Sequence, residues 1–298
     1  MKSVRLSLML WMLALLTSCA SLQGPTAAVT PRPIVALVLG GGAARGFAHI
    51  GVIRTLEREK IPIDMIVGTS VGSLIGAIYA SNVNSFELEW TAFSLERDDL
   101  LDYGILTAIT GMGAAKGEKL ETFVKSNVQA PNIENLKIPF AAVATDLNLG
   151  TQVVLDRGSV AKAVRASSAI PGVFSPVDYQ GKLLVDGGLV DNLPVSVARQ
   201  RGADLVIAVD ISENVINYNI TNLIDVILQA VTIMAHENVK YTRNEADVLI
   251  SPAVGSVGML DFSQKKRCMQ AGIDAAQKAI PEINKKIEEW EKKNAVKK

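Results

Sequence analysis

Gly68-Thr69-Ser70-Val71-Gly72 follows the apolar run Met65-Ile66-Val67 and opens a helix-like stretch, residues 73–80. This order predicts a serine on a tight turn between a buried strand and a helix. A nucleophile elbow has that layout: Gly68 and Gly72 let the chain turn sharply without a Cβ clash, and the hydroxyl points out of the sheet. The helix that follows aims its N-terminal N–H groups and positive dipole end at charge developing near the serine. Glycine-rich turns containing serine are common, so the pentapeptide takes its meaning from the strand before it and the helix after it.

Outward from this turn, apolar runs of strand length recur at residues 34–39, 140–145, 152–155, 182–185 and 205–210. Helical periodicity recurs at 49–59, 160–168 and 194–201. Strands alternating with helices predict an α/β fold, a single three-layer domain with a mostly parallel central sheet covered on both faces. No internal repeat or long linker interrupts residues 34–280, which read as one domain. Residues 214–238 carry Leu223, Val226, Ile227, Ala230, Val231 and Met234 at amphipathic spacing. That spacing predicts a helix packing this stripe on the core, with a lipid-facing stripe as the alternative. Residues 86–118, with glycines at 104, 111, 113 and 117, read as a long connection or a mobile cover over a site. Residues 281–298 are charged and read as a solvated helix or tail.

The chain of 298 residues is 49% hydrophobic, ample for a core, and its 30 basic residues balance 30 acidic ones. A neutral chain offers no basic surface for nucleic acid. Two histidines and two cysteines, without CxxC or HExxH spacing, do not make a metal cluster.

Lys2 and Arg5 form a positive n-region, and residues 6–16 an apolar segment too short to span a bilayer comfortably. Leu16-Thr17-Ser18-Cys19 then resembles a bacterial lipobox. The resemblance implies a signal peptide at 1–18 and acylation of Cys19; an ordinary signal peptide with a chance cysteine is the alternative. Residues 19–33, with prolines at 25, 31 and 33, read as a flexible tether. Acyl chains on Cys19 would hold the protein on a membrane surface. Ala20 stands where an aspartate would argue for inner-membrane retention, so the analogy favours the outer membrane facing the periplasm. Cys268, left without a partner, reads as a packed small residue.

Two further motifs follow strands. Gly40-Gly41-Gly42-Ala43-Ala44-Arg45-Gly46 lets backbone N–H groups converge on one point at a helix start, as an oxyanion hole requires. A dinucleotide-binding turn competes, although G-x-G-x-x-G fails in either register, and the Gly-Lys-Ser/Thr of a phosphate-binding P-loop is missing. Asp186-Gly187-Gly188 places a carboxylate at a strand end, at the rim where such folds bind ligands; a plain hairpin turn is the competing reading.

Taken in order, these three motifs resemble the patatin-like phospholipase family, whose fold is related to but distinct from the α/β-hydrolase fold. The resemblance runs from about Ile34 to Asp210 and includes three flanks. These are Arg45-Gly46-Phe47-Ala48-His49-Ile50-Gly51-Val52, Ala166-Ser167-Ser168-Ala169-Ile170-Pro171-Gly172-Val173-Phe174 and Asp186-Gly187-Gly188-Leu189-Val190-Asp191-Asn192-Leu193-Pro194. Ala43 departs from the family, where many members have glycine. The resemblance implies an acyl hydrolase of phospholipids or lysophospholipids, with membrane lipids as substrate and anchor surface and no metal or organic cofactor. It implies a Ser–Asp dyad without histidine: Ser70 attacks, Asp186 takes its proton, and the N–H groups of Gly41, Gly42 and Ala43 bind the oxyanion. Arg45 would hold the loop or meet a phosphate. A free aspartate, with a pKa of about 3.9, is a poor base for a hydroxyl, so desolvation must raise that value. His49 then has a packing or capping role, and His236 has no motif around it. The competing readings are a lipid-binding or scaffolding envelope lipoprotein without catalysis, a Ser–His–Asp hydrolase using His236, and a dinucleotide-dependent enzyme.

Overall fold

The computed structural model describes residues 32–96, 102, 113–212 and 220–295. The expected signal peptide, Cys19 and most of the tether lie outside the described residues, as does much of the 86–118 connection. The first half of the chain gives β1 (Val35–Leu39), α1 (Phe47–Arg58), β2 (Met65–Thr69), α2 (Val71–Asn82) and α3 (Ser85–Ser94). Then come β3 (Gly113–Ala115), α4 (Glu118–Asn127), β4 (Phe140–Asp146), β5 (Thr151–Leu155) and α5 (Val160–Ser167). The remainder gives β6 (Gly172–Phe174), β7 (Val177–Tyr179), β8 (Lys182–Asp186), α6 (Val195–Gln200) and β9 (Leu205–Val209). It closes with α7 (Leu223–Thr242), β10 (Val248–Ile250) and α8 (Lys265–Ala295).

Strand β1, Val-Ala-Leu-Val-Leu, is buried throughout. Strand side chains alternate between faces, so a run with no polar residue must be covered on both sides. Val35, Leu37 and Leu39 enter one core with α1, α2 and α8. Ala36 and Val38 enter a second core with α6 and Val239 of α7. The result is a sheet between two helical layers.

The sheet has eight strands in the order β10-β9-β1-β2-β4-β8-β7, with β5 also on β4. β10, β9, β1, β2 and the start of β4 pair in parallel. β5, β8 and β7 pair antiparallel. The sheet is mostly parallel, as expected, with an antiparallel flank; in that flank β4–β5 and β7–β8 are joined by short connections. A parallel pair needs a long crossover, whereas a short turn reverses the chain. β7 and β8 are joined by Gln180 and Gly181, both at positive φ (56° and 78°), the two-residue hairpin whose twist matches the strands.

Polar caps set several helix starts. Asn84 accepts from the N–H groups of Phe86 and Glu87 at the start of α3. Asn222 and Asp225 form a reciprocal capping box on α7. Helix α8 runs unbroken past residue 280, with Pro281 inside it and Ile283 buried, so its charged end continues a packed helix. Its buried face includes Cys268.

Helix α7 departs from expectation. The side chains it buries are Leu228, Val231, Thr232 and Val239. Of the stripe expected to face the core, Leu223, Val226, Ala230 and Met234 are exposed. The helix carries two apolar faces, and the one with Leu223, Val226, Ile233 and Met234 points outward.

Helices α1 and α8 cross with their backbones in contact. A Cβ at Gly51 would fall on the Met269 carbonyl, and one at Gly272 on the Ala48 carbonyl. Overpacking of this kind costs about 1–3 kcal/mol. Gly272→Ala is expected to lower unfolding stability by that amount in urea titrations; an unchanged midpoint would show that the crossing is not close-packed.

Candidate active site

The sheet register brings the two sequence motifs together. Thr69, the last residue of β2, lies beside Val143 of β4. Asp186, the last residue of β8, lies beside Ala144 on the next rung. Ser70 and Asp186, 116 positions apart, thus emerge side by side, and the Ser70 hydroxyl donates to Asp186 Oδ2 at 2.7 Å.

The elbow's strain sits on Ser70 itself, at φ 54° and ψ −125°, a conformation that L-residues rarely adopt. Gly68 and Gly72 serve by their small size. A Cβ at Gly68 would meet the Gly72 backbone, and a Cβ at Gly72 would strike the Leu39 carbonyl. Surrounding bonds hold the turn: Ser167 Oγ accepts from Ser70 N (2.9 Å) and donates to the Val143 carbonyl (2.6 Å). Ser73 Oγ donates to the Ser70 carbonyl (2.6 Å).

Asp186 is buried, and its Oδ1 accepts from Gly188 N at 2.8 Å. Burial pushes its carboxyl up to about 6, against the pull of the Ser70 and Gly188 hydrogen bonds. The competing hairpin reading of Asp-Gly-Gly does not hold, because Gly187–Leu189 is a 3₁₀ turn. A Cβ at Gly187 would strike the Val143 carbonyl, so that turn can pack only as glycine.

The glycine-rich loop requires one correction. Gly41, expected to donate to an oxyanion, gives its N–H to the Asn192 carbonyl (3.1 Å). Its own carbonyl accepts from Asn192 Nδ2 (3.3 Å), and Asn192 Oδ1 fills the space a Gly41 side chain would take. Gly41 is an anchor point, whereas the N–H groups of Gly42 and Ala43 have no backbone acceptor among the described residues. Ala43 holds φ at 48°, an alanine in glycine's region, which costs about 1 kcal/mol. Arg45 is buried, and its Nε donates to the Gly42 carbonyl (3.2 Å), bracing the loop from below.

Neither histidine hydrogen-bonds Ser70. His49 is fully buried with Nε2 2.8 Å from the Gly40 carbonyl, and burial pushes its pKa down to about 4. It is therefore neutral near pH 7, donates to Gly40 and supports the loop. His236 is absent from the linings of both cavities that reach Ser70.

Those two cavities differ in character. One holds about 760 Å³ of free space, mouth included, between apolar side chains such as Leu74, Ile75, Leu120, Val173, Phe174 and Phe262. The other, about 410 Å³, is bounded by Gly42, Ala43, Arg45, Asp186, Asn192 and Thr232. Arg165 stiffens the apolar wall: its guanidinium donates to the Lys116 and Ser175 carbonyls and lies 5.2 Å from the Phe174 ring centroid. Sequence reasoning assigned no role to Asn192, Ser167 or Arg165. The available signal was a polar residue embedded among buried apolar and glycine neighbours.

A family model described as patatin-like phospholipase matches residues 37–199. An uncharacterized NTE family protein of Mycobacterium tuberculosis is 41% identical over 182 residues, covering 60% of this chain and 49% of its own length. Lysophospholipase NTE1 of Scheffersomyces stipitis is 29% identical over 286 residues, covering 84% of this chain and 18% of its own length. The chain thus spans about half the length of the first relative and under a fifth of the second. The solved structure of VipD from Legionella pneumophila shares the fold, with a TM-score of 0.55 at 15% identity over 86% of this chain and 67% of that one.

The raised Asp186 carboxyl has a stability consequence. Its folded pKa of about 6 lies above the ordinary 3.8, so ionising it costs the folded state. The favourable contribution of the protonated form is full below pH 4 and lost as pH rises through 6. Asp186→Asn keeps an acceptor for Gly188 N and removes the buried charge. Thermal unfolding should show the variant more stable at pH 8, by up to about 3 kcal/mol, with the difference vanishing near pH 4. A variant less stable at pH 8 would mean that the carboxylate is well solvated.

Proposed function

The chain belongs to the patatin-like phospholipase family, and on that premise we propose that it is a serine hydrolase of phospholipid or lysophospholipid acyl esters, working through a Ser70–Asp186 dyad. The observation carrying this reading is the 2.7 Å hydrogen bond between a strained serine and a dehydrated carboxylate at the meeting point of an apolar and a polar cavity. The name of the lysophospholipase relative supports the lipid substrate class.

In the proposed mechanism an acyl chain lies in the apolar cavity, with its ester carbonyl over Ser70. The hydroxyl proton passes to Asp186 Oδ2 as Ser70 Oγ attacks the carbonyl carbon. The N–H groups of Gly42 and Ala43 receive the oxyanion; each such donor contributes about 3 kcal/mol of transition-state stabilisation. Collapse breaks the ester bond, and the departing alkoxide takes the proton from Asp186. Water then attacks the acyl-enzyme, gives its proton to Asp186, and collapse returns Ser70 with release of the fatty acid. Asp186 is competent as a base because burial brings its pKa to about 6, close to a working pH.

The same reading extends to location. Acylation of Cys19 would anchor the protein at the outer membrane, facing the periplasm, within reach of lipid. Among the described residues no helix is long and apolar enough to cross a membrane.

Ser70→Ala is expected to abolish ester hydrolysis and labelling by a fluorophosphonate probe while the protein stays folded; wild-type turnover of a short-chain nitrophenyl ester by the variant would exclude the assignment. For the wild type, kcat/KM should rise tenfold per pH unit below about 6 and flatten above, as Asp186 ionises. A profile still climbing through pH 7 to 8 would assign the base to another group.

A further inference from the structure

Helix α7 is apolar on two opposite faces. The inner face is accounted for: Leu228 and Val231 pack with Ile170, Val173 and Met259. Val231, Thr232 and Ala235 line the polar cavity with Ser70 and Asp186. The helix thus forms one wall of the candidate active site. The outer face presents Leu223, Val226, Ile233 and Met234, exposed by 73, 49, 43 and 41%. At 100° per residue these four and exposed Ala230 fall within an arc of about 100°, nearly opposite the inner set. Six of the twelve exposed large hydrophobic residues among the described residues lie between positions 220 and 241, so the patch is concentrated on this element.

We propose that the outer face of α7 rests on a lipid surface, seating its apolar side chains at the headgroup–acyl boundary and bringing the site's mouth to the substrate. The proposal rests on the lipid-hydrolase reading above. Three observations favour lipid over other occupants. First, the apolar surface continues toward the acyl cavity: Ile227, on the flank between the two faces, lies against Gly172, and the next residues, Val173 and Phe174, line that cavity. Second, charge is sparse and paired off. Residues 220–241 contain one lysine, Lys240, no arginine and two acids. Of their two acids, Asp225 caps the helix through Thr221 and Asn222, and Glu237 pairs with Lys240 at 2.5 Å. Such a face suits zwitterionic lipid and does not depend on anionic headgroups. Third, Arg32 lies thirteen positions beyond Cys19. Fully extended, that span reaches about 45 Å, on the order of the diameter of the folded body. An acylated Cys19 would hold that body against a bilayer, where an unpartnered apolar face has an immediate use.

The test uses the full chain in a Ser70→Ala background, so that vesicles stay intact and the readout does not depend on hydrolysis. A polarity-sensitive fluorophore is placed at Val226→Cys or, as control, at exposed Gln277→Cys on α8. Signal from the parent chain, whose Cys268 is buried, is subtracted. On phosphatidylcholine vesicles the label at 226 should move to an apolar emission and the label at 277 should not. Neither raised salt nor added anionic lipid should change the shift. In the active protein, Leu223→Asn with Val226→Asn should lower turnover of vesicle lipid about tenfold and leave a soluble short-chain ester unaffected. A label at 226 that stays in water on vesicle-bound protein would overturn the proposal. So would an apolar shift that appears without lipid as protein concentration rises, which would assign the face to a second copy of the chain.

Discussion

In the proposed dyad, the hydrogen bond from Ser70 to Asp186 is reactive only while water is kept from the carboxylate. In water an aspartate ionises far below the pH at which a serine proton becomes mobile. Burial narrows that gap by bringing Asp186 to about 6. Much of the surrounding architecture maintains this condition. Strand β4 backs the pair from the interior of the sheet, apolar side chains close one side, and α7 closes another.

Holding the pair in register requires cross-links between strand ends that are far apart in sequence. Thr145 donates to the Asp186 carbonyl (2.8 Å), and Asp186 N donates to the Ala169 carbonyl (3.0 Å). Thr69 donates to the Asp191 carbonyl (2.9 Å), tying the elbow to the segment after Asp186. Asn192 ties that same segment to the glycine-rich loop through Gly41. Ser70, Asp186 and the glycine-rich loop are thus fixed to one another as well as to the sheet. Neutral His49 and Arg45 support the loop from beneath. The strain at Ser70 and Ala43 is held by this network, as strain at a functional site generally is.

How much of this could be read in the sequence follows from physical range. β1, β2, β4 and β9 were legible because strands buried on both faces carry apolar runs, with polar residues only at the C-terminal ends of β2 and β4, and that signature is local. The elbow and the Asp-Gly-Gly turn were legible for the same reason. Strand direction was not legible on the β5–β8–β7 side, because it depends on turns such as Gln180-Gly181 that composition alone does not distinguish from longer connections. Helix α3 occupies most of the start of the 86–118 connection, and its signal is local: Asn84 caps it and Glu87 lies in its first turn. Gly41 was misassigned because its acceptor, Asn192, lies 151 positions away. The orientation of α7 could not be read because periodicity finds an apolar stripe without saying which of two stripes meets the core.

If α7 borders the proposed dyad on its inner face and rests on lipid with its exposed outer face, as proposed, the chemistry is tied to an environment. Both the desolvated carboxylate and the apolar cavity gain from a site that opens onto lipid, where bulk water is scarce. The measurement that bears most directly on the whole account is the titration of Asp186 itself. Carboxyl carbon NMR on aspartate-labelled protein, with Asp186→Asn to assign the signal, reports its midpoint without any substrate. The account predicts a midpoint near 6; a midpoint near 4, that of an aspartate in water, would contradict it.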